Sequence, residues 1–394
     1  MRVLLSDGSG LTARQCATRL AASGHHVEVL SPDPLCLCRF TRHVAKVHRV
    51  PAYGQDPFGW LDAALAVYRA GRFDALFPTQ EQVAVLAKAK ARLDAAGVAT
   101  VVPTFASLSA VQDKISASAT LRRLGIPQPE TATSPEGWDR FPAFVKEPIG
   151  TASGGVRRVS SYDELQKAAA GRRVVVQAEA EGPLTMCQAI FNHGSIVAFH
   201  ANLRVAEGAN GGASHKVSLS APEVRHWFEV LGRRLAWHGA LSADAIMADD
   251  DPLLIDVNPR LVEPENAYLS GVDLVGPMLA LAVGEHPEAQ ADGRPGVATH
   301  QLLLAVLGAA QQRHGRRSVA GELADAWRHV GSYVGSVEEL TPLTGDVRAV
   351  IPVALAALAT LVAPSTAAWF TSGSVAAYAL SDAGWHQILE ADPT

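Results

Sequence analysis

The sequence predicts an α/β protein of several domains with a helix-rich C-terminal region, and three observations predict it. The first hundred residues alternate short apolar runs with helical periodicity, the pattern of a parallel sheet covered by helices. A glycine-rich segment, residues 150–155, lies between two apolar runs and reads as a β-hairpin tip. Residues 241–247 and 253–258 are two more apolar runs, and they read as a second hairpin carrying acids. At 394 residues the chain is too long for one ordinary domain.

The bulk numbers narrow the function. The net charge of −5 gives no reason to expect a nucleic acid or an anionic membrane as partner. Nearly half the residues are apolar, so a large core is available. Lysine is rare, so a lysine beside an apolar run stands out. Cys16, Cys36, Cys38 and Cys187 make no zinc or disulfide framework and read as free thiols in a reducing cytoplasm. The start of the chain shows no basic region followed by an apolar run and a cleavage site. A cytoplasmic protein is expected.

In chain order, Val3-Leu4-Leu5 is a strand, Ala13 to Leu20 a helix, and Val27 to Leu30 a second strand. The turn Asp7-Gly8-Ser9-Gly10 lacks the full G-x-G-x-x-G and an evident ribose acid, so it reads as a tight strand-to-helix turn rather than an NAD site. Residues 61–68 form a helix, 75–79 a strand, 83–93 a helix and 98–103 a strand. This closes an N-terminal α/β domain over 1–105. Glu81 sits in the loop after the strand at 75–79, where it either meets a substrate or caps a helix.

Asp113-Lys114 starts a helix that Gly125-Ile126-Pro127 ends. Residues 141–148 form a strand with Lys146 near its end, and the glycine loop with Gly150, Ser153, Gly154 and Gly155 follows. Backbone N–H groups of such a loop can fold over phosphate oxygens. It is not a P-loop, because no G-K-[ST] ending and no helix follow. Residues 173–177 form a strand ending at Gln177, followed by Ala178, Ala180 and Glu181. Residues 186–191 and 196–200 pair around a turn at 192–195. Residues 203–216 read as a polar loop, functional or disordered, holding Arg204, Glu207, His215 and Lys216. Residues 222–235 form an amphipathic helix, and a helix starts near Gly271 and ends at Gly284. From 288 a linker-like stretch leads into helices. No charged residue occurs from Ala349 to Ser381, which reads as one or two helices packed on the body, with membrane contact not expected.

The second hairpin carries the chemistry. With a three-residue loop at 249–251, Ala248 faces Pro252, and counting outward sets Asp244 opposite Asp256. Their Cβ atoms would then lie ~5 Å apart on one face. Asn258 and Arg260 follow at period two, on the same face. Two carboxylates that close repel unless a cation sits between them. Hard oxygen ligands of this kind suit Mg²⁺ and the phosphates it bridges.

These pieces, in this order, resemble the ATP-grasp superfamily of carboxylate–amine ligases. The likeness lies in Asp113-Lys114, Lys146-Glu147-Pro148, the glycine loop, Gln177 with Glu181-Gly182, Asp244, Asp256-Val257-Asn258-Pro259-Arg260 and Gly271-Val272-Asp273-Leu274. It covers about residues 1–285. The fold it implies is an ATP-grasp fold with an N-terminal Rossmann-like domain and a helical C-terminal extension. The implied domains are 1–105, a central or lid subdomain at 106–180, a metal-hairpin subdomain at 181–287 and the helix-rich region at 288–394.

The resemblance also implies roles. Lys114 and Lys146 would neutralise the α- and β-phosphates of ATP, and the loop with Gly150, Ser153, Gly154 and Gly155 would cover the γ-phosphate. Gln177 and the backbone at Ala178 to Ala180 would read the adenine. Asp244, Asp256 and Asn258 would hold Mg²⁺, and Arg260 would steady the transferred phosphoryl. Where the family places an acid for the ribose stand Leu184 and Thr185, and Glu181 is the expected substitute. The implied reaction joins a small-molecule carboxylate to an amine through an acyl phosphate, with release of ADP; such enzymes often pair as homodimers. A thiol or hydroxyl acceptor, or nucleotide binding without turnover, remain as alternatives. Arg204, His215 and Lys216 are candidates to meet a substrate carboxylate.

Overall fold

Val3, Leu4 and Leu5 are fully buried and form β1 (Arg2–Leu5) in the computed structural model, which describes residues 1–151, 154–247, 251–313, 315–340 and 345–392. After α1 (Leu11–Ala22) comes β2 (His26–Ser31), and β3 (Lys46–Arg49) extends the same sheet. Asp56 caps α2 (Pro57–Gly71) by accepting from the Gly59 N–H, and β4 (Ala75–Phe77) follows. All four strands run parallel, in the order β3-β2-β1-β4.

Two expectations change here. The helix over 83–93 is two helices, α3 (Val83–Lys88) and α4 (Lys90–Ala95), because the backbone leaves helical angles at Ala89. The strand expected at 98–103 forms no ladder. One bond, from the Leu76 N–H to the Ala99 carbonyl (2.9 Å), ties it to β4, and Pro103 has no N–H to continue.

The short α5 (Phe105–Ser109) leads to α6 (Lys114–Leu124), which Gly125 ends at a φ of 68°, a left-handed cap that glycine adopts without a Cβ clash. A second sheet follows: β5 (Thr131–Ala132), β6 (Ala143–Lys146), β7 (Val156–Val159) and β8 (Val175–Ala178), antiparallel in the order β5-β8-β6-β7. On one face α7 (Tyr162–Ala169) packs Leu165 and Ala168 against Val145, Val159 and Val176.

The third sheet has seven strands in the order β13-β12-β9-β10-β11-β14-β15. It is built from β9 (Leu184–Asn192), β10 (Ser195–Glu207), β11 (Ala213–Leu219), β12 (Gly239–Ile246), β13 (Leu253–Asn258), β14 (Ala298–His300) and β15 (Val337–Glu338). The turn between β9 and β10 has positive φ at both His193 (44°) and Gly194 (94°), as a tight two-residue hairpin requires. α8 (Pro222–Leu235) lays Phe228 and Leu231 over this sheet.

Residues 203–216 are not a loop. β10 continues to Glu207 and β11 begins at Ala213, with Arg204 opposite Lys216. Polar residues hid the strands because one face of this hairpin meets a polar cleft rather than the apolar core. The helix expected from Gly271 to Gly284 is α10 (Val275–Ala282), and an unexpected short helix, α9 (Glu265–Ser270), precedes it and ends at Gly271, whose φ is 103°.

The C-terminal region is helical but supplies strands to the third sheet on the far side of residue 287. α11 (Leu302–Arg313), α12 (Arg316–Arg328), α13 (Val350–Val362) and α14 (Ala367–Tyr378) share one apolar cluster. The uncharged stretch, expected as one or two helices, forms two. Among the described residues no helix is long and apolar enough to cross a membrane. The last helix, α15 (Asp382–Glu390), returns to the N-terminal sheet and buries Trp385 and Ile388 among Leu4, Tyr53 and Trp60. All four cysteines are free and buried.

Candidate functional site

A cleft of about 1470 Å³ opens between the second and third sheets, with α6 and the N-terminal domain at one side. Each element delivers a polar group into it for a local reason. Asp113 caps α6: its Oδ1 accepts from the N–H groups of Ile115 (3.0 Å) and Ser116 (2.9 Å). Lys114 is therefore the first helical residue. Its N–H donates to the Pro148 carbonyl (3.0 Å) and its Nζ donates to the Gly150 carbonyl (3.4 Å). The helix start and the glycine loop are held together. Lys114 Nζ also stands 3.9 Å from Asp256 Oδ2.

Lys146 ends β6 and is 6% exposed. Its Nζ donates to Gln177 Oε1 (2.7 Å) and to the Ile255 carbonyl (2.9 Å). Ile255 is the extra residue of a bulge. β12 and β13 pair Asp244 with Asp256, then slip by one so that Ala245 faces Leu254. A bulged residue is left out of the ladder, which frees the Ile255 carbonyl for the lysine. Burial lowers the Lys146 pKa and neighbouring Lys114 adds to that, while Asp256 and Asp244 oppose it.

Asp244 and Asp256 do face each other across the hairpin, as the sequence reading expected. The uniform three-residue register behind that expectation does not hold past the bulge, and the turn residues 248–250 lie outside the described residues. The Asp244 pKa is raised to about 6, by burial first and by Asp256 second, against Lys146, Arg260 and Arg204. Ser242 pairs with Asn258 next along the same face. Past the strand, Arg260 donates from Nε to Glu81 Oε1 (2.8 Å). Burial disfavours the Arg260 charge, but Glu81 overrides it and the pKa is raised. Glu81 is thus neither a free substrate contact nor a simple cap. It also accepts from Thr151 Oγ1 (3.3 Å) and Gln112 Nε2 (3.3 Å).

The glycine loop closes between the Glu147 N–H and the Gly155 carbonyl (2.9 Å). A Cβ on Gly150 would lie 2.4 Å from the Gly154 carbonyl oxygen, so the loop admits only glycine there. Gly150 and Gly154 line the cleft, while Gly155 turns toward Glu147. Ser153 lies outside the described residues. Gln177, Ala178 and Ala180 line the cleft with Leu184 and Met186. Glu181 is exposed and is not part of the lining. Glu179 lines it instead and pairs with Arg158 (2.7 Å).

Of the three residues expected to meet a substrate carboxylate, Arg204 and Lys216 line the cleft and His215 does not. Arg204 is the more exposed of the two. It lines the cleft and donates to the Gly211 carbonyl (2.9 Å). Lys216 is 1% exposed and ion-paired to Glu263 and, at 2.8 Å, to Glu339. His215 packs edge-on against Tyr333 with ring centroids 4.5 Å apart. Sequence reasoning missed Asn202 and Glu263. Asn202 is 1% exposed, lines the cleft and has an Nδ2 with no hydrogen-bond partner among the described residues. Glu263 also lines it, at a φ of 38°. Period two in Asn202-x-Arg204 was the available signal for the first. Among the described residues no group of three or more His, Cys, Asp or Glu forms a ready-made metal cage. Two carboxylates and an amide fit Mg²⁺ only where phosphate oxygens complete its shell.

Residues 111–264 match the family model of the ATP-grasp domain, and this part of the chain is an ATP-grasp domain. About three quarters of the chain is similar in fold to solved ATP-grasp enzymes. Biotin carboxylase from Campylobacter jejuni, solved with β,γ-ATP, matches at a TM-score of 0.60 and 16% identity, over 75% of this chain and 74% of that one. Carboxyaminoimidazole ribonucleotide synthase from Aspergillus clavatus, complexed with ATP, matches at 0.60 and 16%, over 77% and 82%. L-amino acid ligase from Bacillus licheniformis matches at 0.56 and 15%, over 73% and 75%. At these identities the likeness shows the fold. No curated protein sequence matches.

Proposed function

We propose that this chain is an ATP-dependent, ADP-forming ligase that activates a small-molecule carboxylate as an acyl phosphate and joins it to an amine. The observation that carries the reading is the opposition of Asp244 and Asp256 in the same cleft as Lys114 and Lys146. Carboxylates on one wall and ammonium groups on another form the pattern a metal-bound triphosphate requires. The ATP-grasp domain and the likeness to enzymes solved with ATP support it.

Lys114 and Lys146 hold the α- and β-phosphates, and the loop with Gly150 and Gly154 covers the γ-phosphate. Gln177, Ala178 and Ala180 read the adenine edge, with Leu184 and Met186 beside its ring. Asp244, Asp256 and Asn258 would hold Mg²⁺, which would supply positive charge to the transferred group when bound. Arg260 faces the oxygens that gain charge, kept in place by Glu81. A carboxylate oxygen attacks the γ-phosphorus and the bond to the β–γ bridging oxygen breaks, releasing ADP. The amine nitrogen then attacks the acyl carbon, the acyl–oxygen bond breaks to release phosphate, and the nitrogen loses a proton. The chain contributes placement and charge, and no side-chain nucleophile is involved.

The test is Mg·ATP-dependent ADP release with mixtures of acids and hydroxylamine, which traps an acyl phosphate as a hydroxamate. Asp256→Ala and Lys146→Ala should each abolish it. Full turnover in either variant overturns the reading. Stabilisation by Mg·ATP with no ADP from any mixture would make the chain a nucleotide-binding module.

A further inference from the structure

The cleft that holds the charged cluster has one wall of a different character. That wall is the helical pair α13 and α14, inside the stretch from Ala349 to Ser381 that carries no charge. Leu355, Leu358 and Val362 recur at i, i+3 and i+7, so they share one face of α13. They are 52%, 63% and 63% exposed, and Trp369 on α14 is 74% exposed. All four border the same cavity as Lys114, Asp256 and Arg260. Packed beside them, α11 adds Leu304 and Leu307 to the lining. A protein does not ordinarily leave so much contiguous apolar surface wet unless something covers it.

The two ends of the cleft are joined. Tyr378, at the end of α14, lines the same cleft as Arg260. From Tyr378 back to Trp369 the helix covers about 13 Å. A molecule whose head lies at Arg260 therefore has its other end directed along an apolar helix. We propose that this wall holds the aliphatic or aromatic tail of the carboxylate substrate, with the carboxylate itself at Arg260. The inference rests on the ligase reading and adds the class of acid. A membrane is a poorer occupant, because the stretch has no lysine or arginine for lipid headgroups. A second copy of the chain is poorer too, because these side chains line a cavity shared with the nucleotide groups.

The experiment assays hydroxamate formation by the full chain with Mg·ATP, hydroxylamine and straight-chain acids from acetate to tetradecanoate, with phenylalkanoic acids beside them. The expected result is a kcat/KM that climbs about three- to fourfold per added CH₂ until the wall is filled. Leu358→Asp should lower kcat/KM for the longest acids by at least tenfold while Mg·ADP still raises its melting temperature. Trp369→Ala, at a mostly exposed position, repeats the test should Leu358→Asp fail to fold. Turnover with no dependence on chain length overturns the tail assignment and leaves the ligase reading standing. So does turnover that depends on tail length but is indifferent to both variants. Binding to phosphatidylcholine vesicles that Leu358→Asp removes, beside a flat acid series, assigns the face to a membrane instead. Absence of hydroxamate from every acid overturns the ligase reading, and this inference with it.

Discussion

Arg260 and Glu81 are bonded at 2.8 Å although 179 residues separate them, and both side chains are nearly buried. The pair joins the residue just past the β12–β13 hairpin to the N-terminal domain and fixes where the guanidinium can point. Glu81→Ala leaves the arginine unheld, so ADP release should fall on the order of a hundredfold, as it does when a positioned group drifts. The fold should lose about 3 kcal/mol, the cost of stranding one partner of a buried pair. Steady-state assays and urea titrations of the same variant check both, and Glu81→Gln should recover part of the rate.

The opposed acids make the empty cleft less stable than it could be. Asp244→Asn removes one of two repelling charges and should stabilise the nucleotide-free protein by on the order of 1 kcal/mol. The same variant should lose most of the stabilisation that Mg·ADP gives the natural chain. Thermal melts with and without Mg·ADP measure both, and a variant that keeps the full Mg·ADP shift would remove Asp244 from the metal set.

Acid should weaken the fold through His200. Burial pushes its pKa to about 4, against a hydrogen bond from its ring to Asn266 (2.9 Å). Its ordinary value is near 6.5, so between pH 6.5 and 4 the unfolded chain takes the proton first. The folded state then loses stability as pH falls through that window, by roughly 3 kcal/mol in all. Above pH 6.5 the contribution is constant. Urea unfolding at pH 7 and pH 4.5 tests the slope, which should be shallower in His200→Gln.

Trp385, 4% exposed, is the main anchor of α15 on the N-terminal domain. Trp385→Ala should cost about 3–5 kcal/mol. Hydrogen exchange should rise in β1 and α2 as well as in α15. A loss confined to α15 would show that the helix is an accessory.

The parts of the site that were legible in the sequence are those fixed by local rules. Asp113 as a cap, Gly125 as a stop, the tight turn at His193-Gly194 and the facing of Asp244 and Asp256 all follow from residues a few positions apart. The parts that were hidden depend on distant chain. β11 looked like a loop because Lys216 faces Glu263 and Glu339 rather than apolar neighbours. β14 and β15 are three and two residues long; β14 forms on the edge that β11 offers, and β15 on the edge of β14. The bulge at Ile255 has no glycine to mark it, and its use becomes visible only once Lys146 is seen reaching the freed carbonyl.

Because Trp385 and Ile388 complete a core begun by Leu4, the N-terminal sheet cannot close its apolar face until residues 382–390 have been made and docked. During synthesis the unfinished sheet must wait through some three hundred further residues with part of that face uncovered. Loss of α15 would therefore damage a core whose strands are made long before it.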